Sequence, residues 1–418
     1  MAEKIGPDGL RVLFTTSNWA GHWFCMVPLG WALQAAGHEV RVACAPAQAR
    51  AVARAGLVPA PVLVSGDMMV LGRMTHYLAA VTGARTLPGL PRHPLTGAAL
   101  ASLDEFDLAS MEDEFWAGHA ANLRDGFAGV ERLARDWRPD LVCHDVMGVD
   151  GAIVAARLGV PSVFVAPGLF GTVETVPGLD LRVADQAYRA VAADVGWSRE
   201  RITHIVDPSP GAALPPVGDA ARLPVRYVPY NGPGELPPWL RDAPDGRDRI
   251  CVIWGHSATG MFGPDVPALR HAVHAAAATG AEVVLTASPE QVDALGPLPA
   301  GVRPLRGFPL DLLLPTCTAV IHHGSDNCMM NAAVAGVPQL ALPLDHDQLA
   351  YGQRIEPTGA AIAVPGLAAG ADDVAGALAA LLGEPGYRAA ARELRAEQAV
   401  RPAPADLVAT LTELARHR

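Results

Sequence analysis

The sequence predicts an α/β protein of two parallel, helix-covered sheets that face each other across a cleft. Three observations carry this. Short apolar runs alternate with helical patterns through the first half, a proline- and glycine-rich stretch interrupts them between residues 208 and 249, and the alternation then restarts. Strands separated by single helices call for parallel pairing with helices on both faces. With 418 residues, half of them hydrophobic, the chain can bury two cores.

In chain order, Leu10 to Thr16 reads as the first strand and Val27 to Ala36 as a helix, with Gly37 ending it. Glu39 to Cys44 is the second strand, followed by a helix from Pro46 to Ala55 and then Gly56. Asp140 to Cys143 gives a strand, Gly151 to Leu158 a helix closing at Gly159, and Ser162 to Ala166 another strand. Between Met68 and Ala117 the pattern is less regular and rich in aromatic and acidic residues, as loops and helices covering a cleft would be. The second half offers strands at Ile250–Trp254, Glu282–Ala287, Val302–Leu305, Ala319–Ile321 and Gln339–Leu342, with helices at Val266–Ala278 and from about Cys328. The stretch from Pro208 to Arg249 leaves little room for regular structure and reads as a connector. The expected division is 1–223 for the first domain, 224–249 for the linker, 250–395 for the second domain and 396–418 for a C-terminal helix returning to the first.

Composition narrows the function. A formal net charge of -11 without any Lys/Arg run argues against nucleic acid or an anionic membrane as partner. The 42 Gly and 37 Pro are scattered rather than repeated, which argues against disorder. Cysteines 25, 44, 143, 251, 317 and 328 show no CxxC spacing and read as reduced thiols of a cytoplasmic protein. The polar start MAEKIGPDG shows no signal peptide, and no apolar run reaches the roughly 18 residues of a membrane span.

The stretch from Pro304 to Gln353 is the most informative. A strand runs into His322-His323, a small polar turn and a helix, and a second strand then delivers Asp345, His346, Asp347 and Gln348. Backbone N–H groups and the positive end of a helix dipole suit a phosphate. Asp347 and Gln348 set an acceptor-only carboxylate beside a donor–acceptor amide, which suits two sugar hydroxyls, although a solvated loop reads the same way. Of the paired histidines, His323 is expected to face the site, with His322 packed beneath; the spacing to Asp345, His346 and Asp347 matches no metal pattern. Ser257, beside His256, and Asn331 are weaker phosphate candidates. His22 follows the first strand, where a neutral imidazole can accept a hydroxyl proton. Asp145, past another strand end, is expected to accept from its other ring nitrogen. A histidine that merely caps the helix is the competing reading. No GxGxxG, GxxxxGK[ST] or GxSxG follows any strand, which removes support for dinucleotide, P-loop and serine-hydrolase chemistry.

These residues together resemble the GT-B glycosyltransferases that attach deoxysugars to polyketide and other natural-product aglycones. AGHWFCMVPLGWALQAAGHEVRVA is similar to the family's N-terminal segment, and RPDLVCHDVMGVDGAIVAARLGVPSV to its central one. RYVPYNGPGELPPWL resembles the linker of the deoxysugar branch, and the final block matches its GF-PL…LLPTC…HHG and AGVPQL…DQ pattern. The resemblance implies two Rossmann-like domains, the first for the acceptor and the second for the nucleotide sugar, and an inverting, metal-independent transfer. His22 would be the base, oriented by Asp145. Ser257, His323, Gly324, Ser325, Asn327 and Cys328 would meet the donor diphosphate, and Asp326, Asp347 and Gln348 the sugar. The backbone around Phe308 to Leu310 would meet the base, and Trp19, Trp23, Phe115 and Phe170 the acceptor. The co-substrate would be a dTDP- or UDP-sugar with no cofactor, and a helper protein or a homodimer is a further partner consistent with the family.

The turn departs from the family's HHGG followed by a small residue, Gly and Thr: here Gly324 is followed by Ser325, Asp326, Asn327 and Cys328. Asp326 places a carboxylate beside an expected dianion, with a basic sugar substituent as one conceivable partner, and Cys25 replaces a proline. A non-catalytic homologue and a sugar-nucleotide epimerase are the competing classes, and an intact His22 and Asp145 favour the transferase.

Overall fold

The computed structural model describes residues 9–64, 67–83, 89–181, 185–241 and 248–417. Residues 1–8 of the polar start and 242–247 of the expected linker therefore lie outside the described residues. The first sheet contains β1 (Arg11–Thr15), β2 (Glu39–Ala43), β3 (Val58–Ala60), β4 (Leu141–His144), β5 (Ser162–Val165), β6 (His204–Asp207) and β7 (Ala221–Pro224). Its order is β3-β2-β1-β4-β5-β6-β7, every pairing parallel. The second contains β8 (Arg249–Ile253), β9 (Glu282–Thr286), β10 (Val302–Leu305), β11 (Ala319–His322), β12 (Gln339–Ala341) and β13 (Ala361–Ala363). Its order is β10-β9-β8-β11-β12-β13, again parallel throughout. Each is the sheet of a Rossmann-like domain.

The strand order reverses once in each sheet, between β1 and β4 and between β8 and β11. At such a point the following loops run in opposite directions and leave a crevice at the carboxyl ends of the strands. Register places Thr15 beside His144 and His322 beside Ile253, so both crevices open where the candidate residues begin.

Continuous apolar runs explain the central strands: Val12, Leu13, Phe14, Leu141, Val142, Cys143, Ile250, Cys251 and Val252 are all inaccessible to solvent. β7 lies inside the stretch read as an irregular connector. It is an outer strand of the first sheet, and Pro224, which cannot donate to a ladder, sits at its last position. The Met68–Ala117 stretch holds the helix Met68–Val81 and the start of a long helix, Leu108–Trp137. Among the described residues, no helix is long and apolar enough to cross a membrane.

The helix Leu407–Arg416 buries Leu407, Val408, Leu411 and Ala415 in the core of the first sheet, among Leu29, Leu33 and Val40. A further apolar cluster joins the halves: Phe164, Leu169, Phe170 and Leu179 of the first pack with Met329, Met330, Tyr351 and Ile355 of the second.

Candidate active site

At the first reversal, β1 ends at Thr15 and a short loop leads to the helix Ala20–Trp23. His22 Nδ1 lies 2.8 Å from Ser17 Oγ, and the Ser17 hydroxyl donates to Asp145 Oδ2 at 2.9 Å. Ser17 N–H donates to the same oxygen at 2.8 Å, while Oδ1 accepts from Met147 N–H at 2.9 Å and from Gly148 N–H. The expected direct bond from His22 to Asp145 is thus replaced by a serine bridge, because Ser17 occupies the space between them. Burial lowers the His22 pKa below its ordinary value and the Asp145 charge only partly offsets this, so the ring is neutral near pH 7.

At the second reversal, His322 is locked into the sheet. Its Nε2 pairs with Gln339 Oε1 at 3.0 Å and its Nδ1 accepts Gly324 N–H at 3.1 Å. His323 packs beside Gly255, whose N–H is 3.4 Å from Nδ1, and a Cβ on that glycine would meet both the His323 ring, at 3.0 Å, and Ser257 Oγ, at 3.6 Å. Burial pushes His322 down to about 3 and His323 down to about 4, so neither ring carries charge. Any anion here meets neutral donors and a helix dipole rather than imidazolium. Gly324 has φ +90°, and a Cβ on it would come within 3.0 Å of Pro343 Cα and 3.2 Å of Gln348 Cβ. That close approach sets the turn directly against the Asp347–Gln348 segment.

The helix Asp326–Ala335 follows. Ser325 is its N-cap, its Oγ accepting Cys328 N–H at 3.3 Å. Two expectations are corrected here. The Asn327 amide donates to Gly21 O at 2.9 Å and accepts from Tyr227 O–H at 2.9 Å, so it ties the helix to the His22 loop and the linker rather than facing a diphosphate. The Cys328 side chain is buried in an apolar cluster with Leu313, Leu314 and Val320, where burial pushes its thiol up to about 12. Asn331 is likewise committed, to Asn231 at 2.8 Å and to the Asn327 carbonyl at 2.7 Å.

Asp345 caps the helix His346–Ile355 and meets His76 Nε2 at 2.6 Å. Gln348 Oε1 takes Leu344 N–H at 2.9 Å, which leaves its amide nitrogen as the outward donor. Burial, then the Asp345 charge, raises Asp347 to about 7, and burial raises Asp326 to about 6. Phe308 is half-buried and the Leu310 side chain belongs to the apolar core, so that only the backbone of this segment is left for the expected contact with a nucleobase. Trp19 stays half-buried with its ring 6.1 Å from that of His22. Trp23 and Phe170 are 1% and 2% exposed and pack inward, so neither ring is available for the acceptor wall that the resemblance implies. Phe115 packs at the edge of a cluster around Met74, Tyr77 and Phe106. Among the described residues, no group of three or more His, Cys, Asp or Glu is arranged to hold a metal ion.

Comparison with known proteins fits this arrangement. Residues 31–255 match the N-terminal domain of the erythromycin biosynthesis protein CIII-like family, and residues 270–414 match its C-terminal domain. The chain belongs to this family of nucleotide-sugar glycosyltransferases. It is 34% identical over 413 residues to an L-demethylnoviosyl transferase of Streptomyces niveus, covering 95% of this chain and 96% of that protein. It is 35% identical over 444 residues to a TDP-daunosamine transferase of Streptomyces peucetius, covering 98% of each. The solved structure of the glycosyltransferase VinC in complex with dTDP superposes with a TM-score of 0.73 at 29% identity, covering 98% of this chain and 100% of that one. The two facing sheets are accordingly a GT-B fold.

In this glycosyltransferase several site residues carry no sequence signal. Ser17 is an ordinary loop serine until β1 and β4 are paired. Tyr227 and Asn231 belong to the recognisable linker phrase, yet their partners Asn327 and Asn331 lie 100 positions away. His76 and the bidentate Arg354–Glu174 pair, with contacts of 2.6 and 2.9 Å, join the two halves beside the cleft.

Proposed function

We propose that the enzyme transfers a deoxysugar, with inversion, from a dTDP- or UDP-sugar to a hydroxyl of a polyketide-like aglycone. The observation that carries this reading is the contact from Gly21 O to Asn327 Nδ2, which sets the His22 loop against the helix that follows the His322-His323 turn. Acceptor activation and leaving-group departure then happen at neighbouring chain ends. His22 Nε2 takes the acceptor's proton as the O–H bond breaks, and the oxygen's electron pair forms the new bond to the anomeric carbon. The bond from that carbon to the donor phosphate breaks, its electron pair leaving on the diphosphate. The backbone of the Gly324 turn, with Ser257, His323 and Ser325, stabilises that charge through neutral donors, without a metal.

Asp326, Asp347 and Gln348 hold the sugar, the backbone around Phe308 to Leu310 meets the base, and Trp19 forms part of the acceptor wall. Residues 1–223 hold the acceptor and 250–395 the donor, with 224–249 as linker and 396–418 as the returning helix. The six free cysteines fit a reducing, cytoplasmic compartment, and a helper protein or a homodimer remains a partner to test in the same assay. That assay incubates the enzyme with dTDP- and UDP-sugars and a panel of polyketide aglycones, scoring glycoside and free nucleoside diphosphate. His22→Ala is expected to lower kcat by about 10²–10⁴-fold. Full turnover in that variant would remove His22 from the mechanism.

A further inference from the structure

We infer that Ser17 is a positioning residue for the transfer: its hydroxyl bridges His22 to Asp145 and fixes the tautomer in which Nε2 is free. The inference rests on the reading of His22 as base given above. Four donors surround the Asp145 carboxylate: Ser17 N–H, the Ser17 hydroxyl, Met147 N–H and Gly148 N–H. A carboxylate only accepts, and three backbone N–H groups, which can only donate, already point at this one. The single hydrogen of the serine hydroxyl therefore points at Asp145 Oδ2, and a lone pair faces His22 Nδ1 at 2.8 Å. Two facing lone pairs would repel, so Nδ1 is the nitrogen that carries hydrogen. Nε2 is left as the only basic site on the ring.

The chain Nδ1–H to Ser17, and Ser17 O–H to Asp145, also serves the protonated state. When Nε2 takes the acceptor's proton, the ring keeps Nδ1–H on Ser17, whose dipole is already oriented by the carboxylate. Ser17 thus carries the electrostatic support of Asp145 across a gap that ring and carboxylate do not close themselves. The hydroxyl is held in place from three sides. The Ser17 backbone bonds the same carboxylate, β1 and β4 are paired just before at Thr15 and His144, and Ser17 is 8% exposed. Other ionisable groups near the ring act only through space or through its backbone. Cys25 bonds the His22 carbonyl at 3.3 Å and stays a thiol, because burial and the Asp145 charge push its pKa well up. Asp326, from the second half, and Tyr227, from the linker, are close enough to Cys25 to interact with it, and Asp150 interacts through space with Asp145.

The test needs no aglycone for its first readout. In the ¹⁵N-labelled enzyme at pH 8, long-range nitrogen–proton NMR reports the His22 tautomer, the signal being assigned by its loss in His22→Gln. The expected result is Nδ1–H in the native enzyme, a mixture of tautomers in Ser17→Ala with a lower titration midpoint, and recovery in Ser17→Thr. Where a glycoside-forming pair is in hand, Ser17→Ala should lower kcat about 10- to 100-fold, leave the KM for the donor unchanged, and shift the acidic limb of the pH profile downward. Binding of dTDP, proposed above to seat at the second crevice, reports that the variants are folded. Nε2–H in the native enzyme overturns the inference, as does a Ser17→Ala enzyme with native tautomer and kcat. Full turnover in His22→Ala overturns both this and the base reading; a silent His22→Ala beside an unaffected Ser17→Ala overturns the bridge alone.

Discussion

The two strand-order reversals of this molecule have the same topology and opposite electrostatics. At the first, the polar atoms His22 Nδ1, Ser17 Oγ and both Asp145 oxygens satisfy one another before any substrate arrives. At the second, burial raises Asp326 to about 6 and Asp347 to about 7, and the two neighbouring histidines are neutral. The first crevice has its polar side chains fixed in one network; the second holds carboxyl groups whose charged form burial disfavours despite their backbone hydrogen bonds. Catalytic groups gain from being fixed in advance, whereas a recognition site stores its specificity in groups that only the right ligand satisfies.

The most damaging test of this contrast is Asp145→Asn. An amide can donate to Ser17, which reverses the hydroxyl and presents a hydrogen to His22 Nδ1, so the Nε2–H tautomer becomes the stable one. A loss of about 10³-fold in kcat is expected, with donor affinity retained. If donor affinity fell and kcat held, the two crevices would not be functionally separate.

Asn327→Ala probes the join between them. It removes the tie from the donor-side helix to Gly21 O and leaves Tyr227 O–H without its acceptor. Loss of these two bonds should cost about 1–3 kcal/mol of stability. The kcat should fall about tenfold, roughly 1.4 kcal/mol, with a smaller change in KM for the donor. Thermal unfolding and steady-state kinetics on one preparation read both.

How much of this was visible in the sequence follows the same divide. Strands such as Val12–Phe14 and Ile250–Val252 announce themselves because both faces are buried, whereas β7, with Arg222 and Pro224 on an outer edge, does not. His22 and Asp145 could be placed near each other from strand ends, but the sequence carries no distance, so Ser17 between them was missed. Asn327 reads as a phosphate contact from its place in the turn, whereas its partners lie in the His22 loop and the linker. Trp23 and Phe170 failed for the complementary reason: position in a loop near the cleft says nothing about which way a ring faces.

A pH experiment separates the crevices without mutating His22. Asp347 is raised to about 7 when folded against 3.8 for an ordinary carboxyl, so the folded state holds a proton that the unfolded state has lost. Its contribution is favourable below about pH 4 and is lost as pH rises towards 7. Buried neutral histidines push the other way, so the informative quantity is the difference in Tm between native enzyme and Asp347→Asn. The variant should gain on the native enzyme between pH 4.5 and pH 7.5. A flat difference would mean that Asp347 is not strained in the empty site.

The smallest expected effect bears most directly on the donor. Asp326 lies in the first turn of the helix proposed to receive the diphosphate, and each negative charge on that ligand repels the ionised carboxylate. Asp326→Asn keeps the size and removes the charge. Binding of dTDP alone should therefore tighten by about fivefold, near 1 kcal/mol, at low salt, and the gain should shrink as salt screens it. A sugar donor with a protonated amine would invert the sign, because the carboxylate would then offset the ammonium charge. Calorimetric titration of dTDP and of neutral and amino dTDP-sugars into both enzymes tells the cases apart. Equal affinities throughout would show that Asp326 points away from the ligand and that the second crevice is no more frustrated than the first.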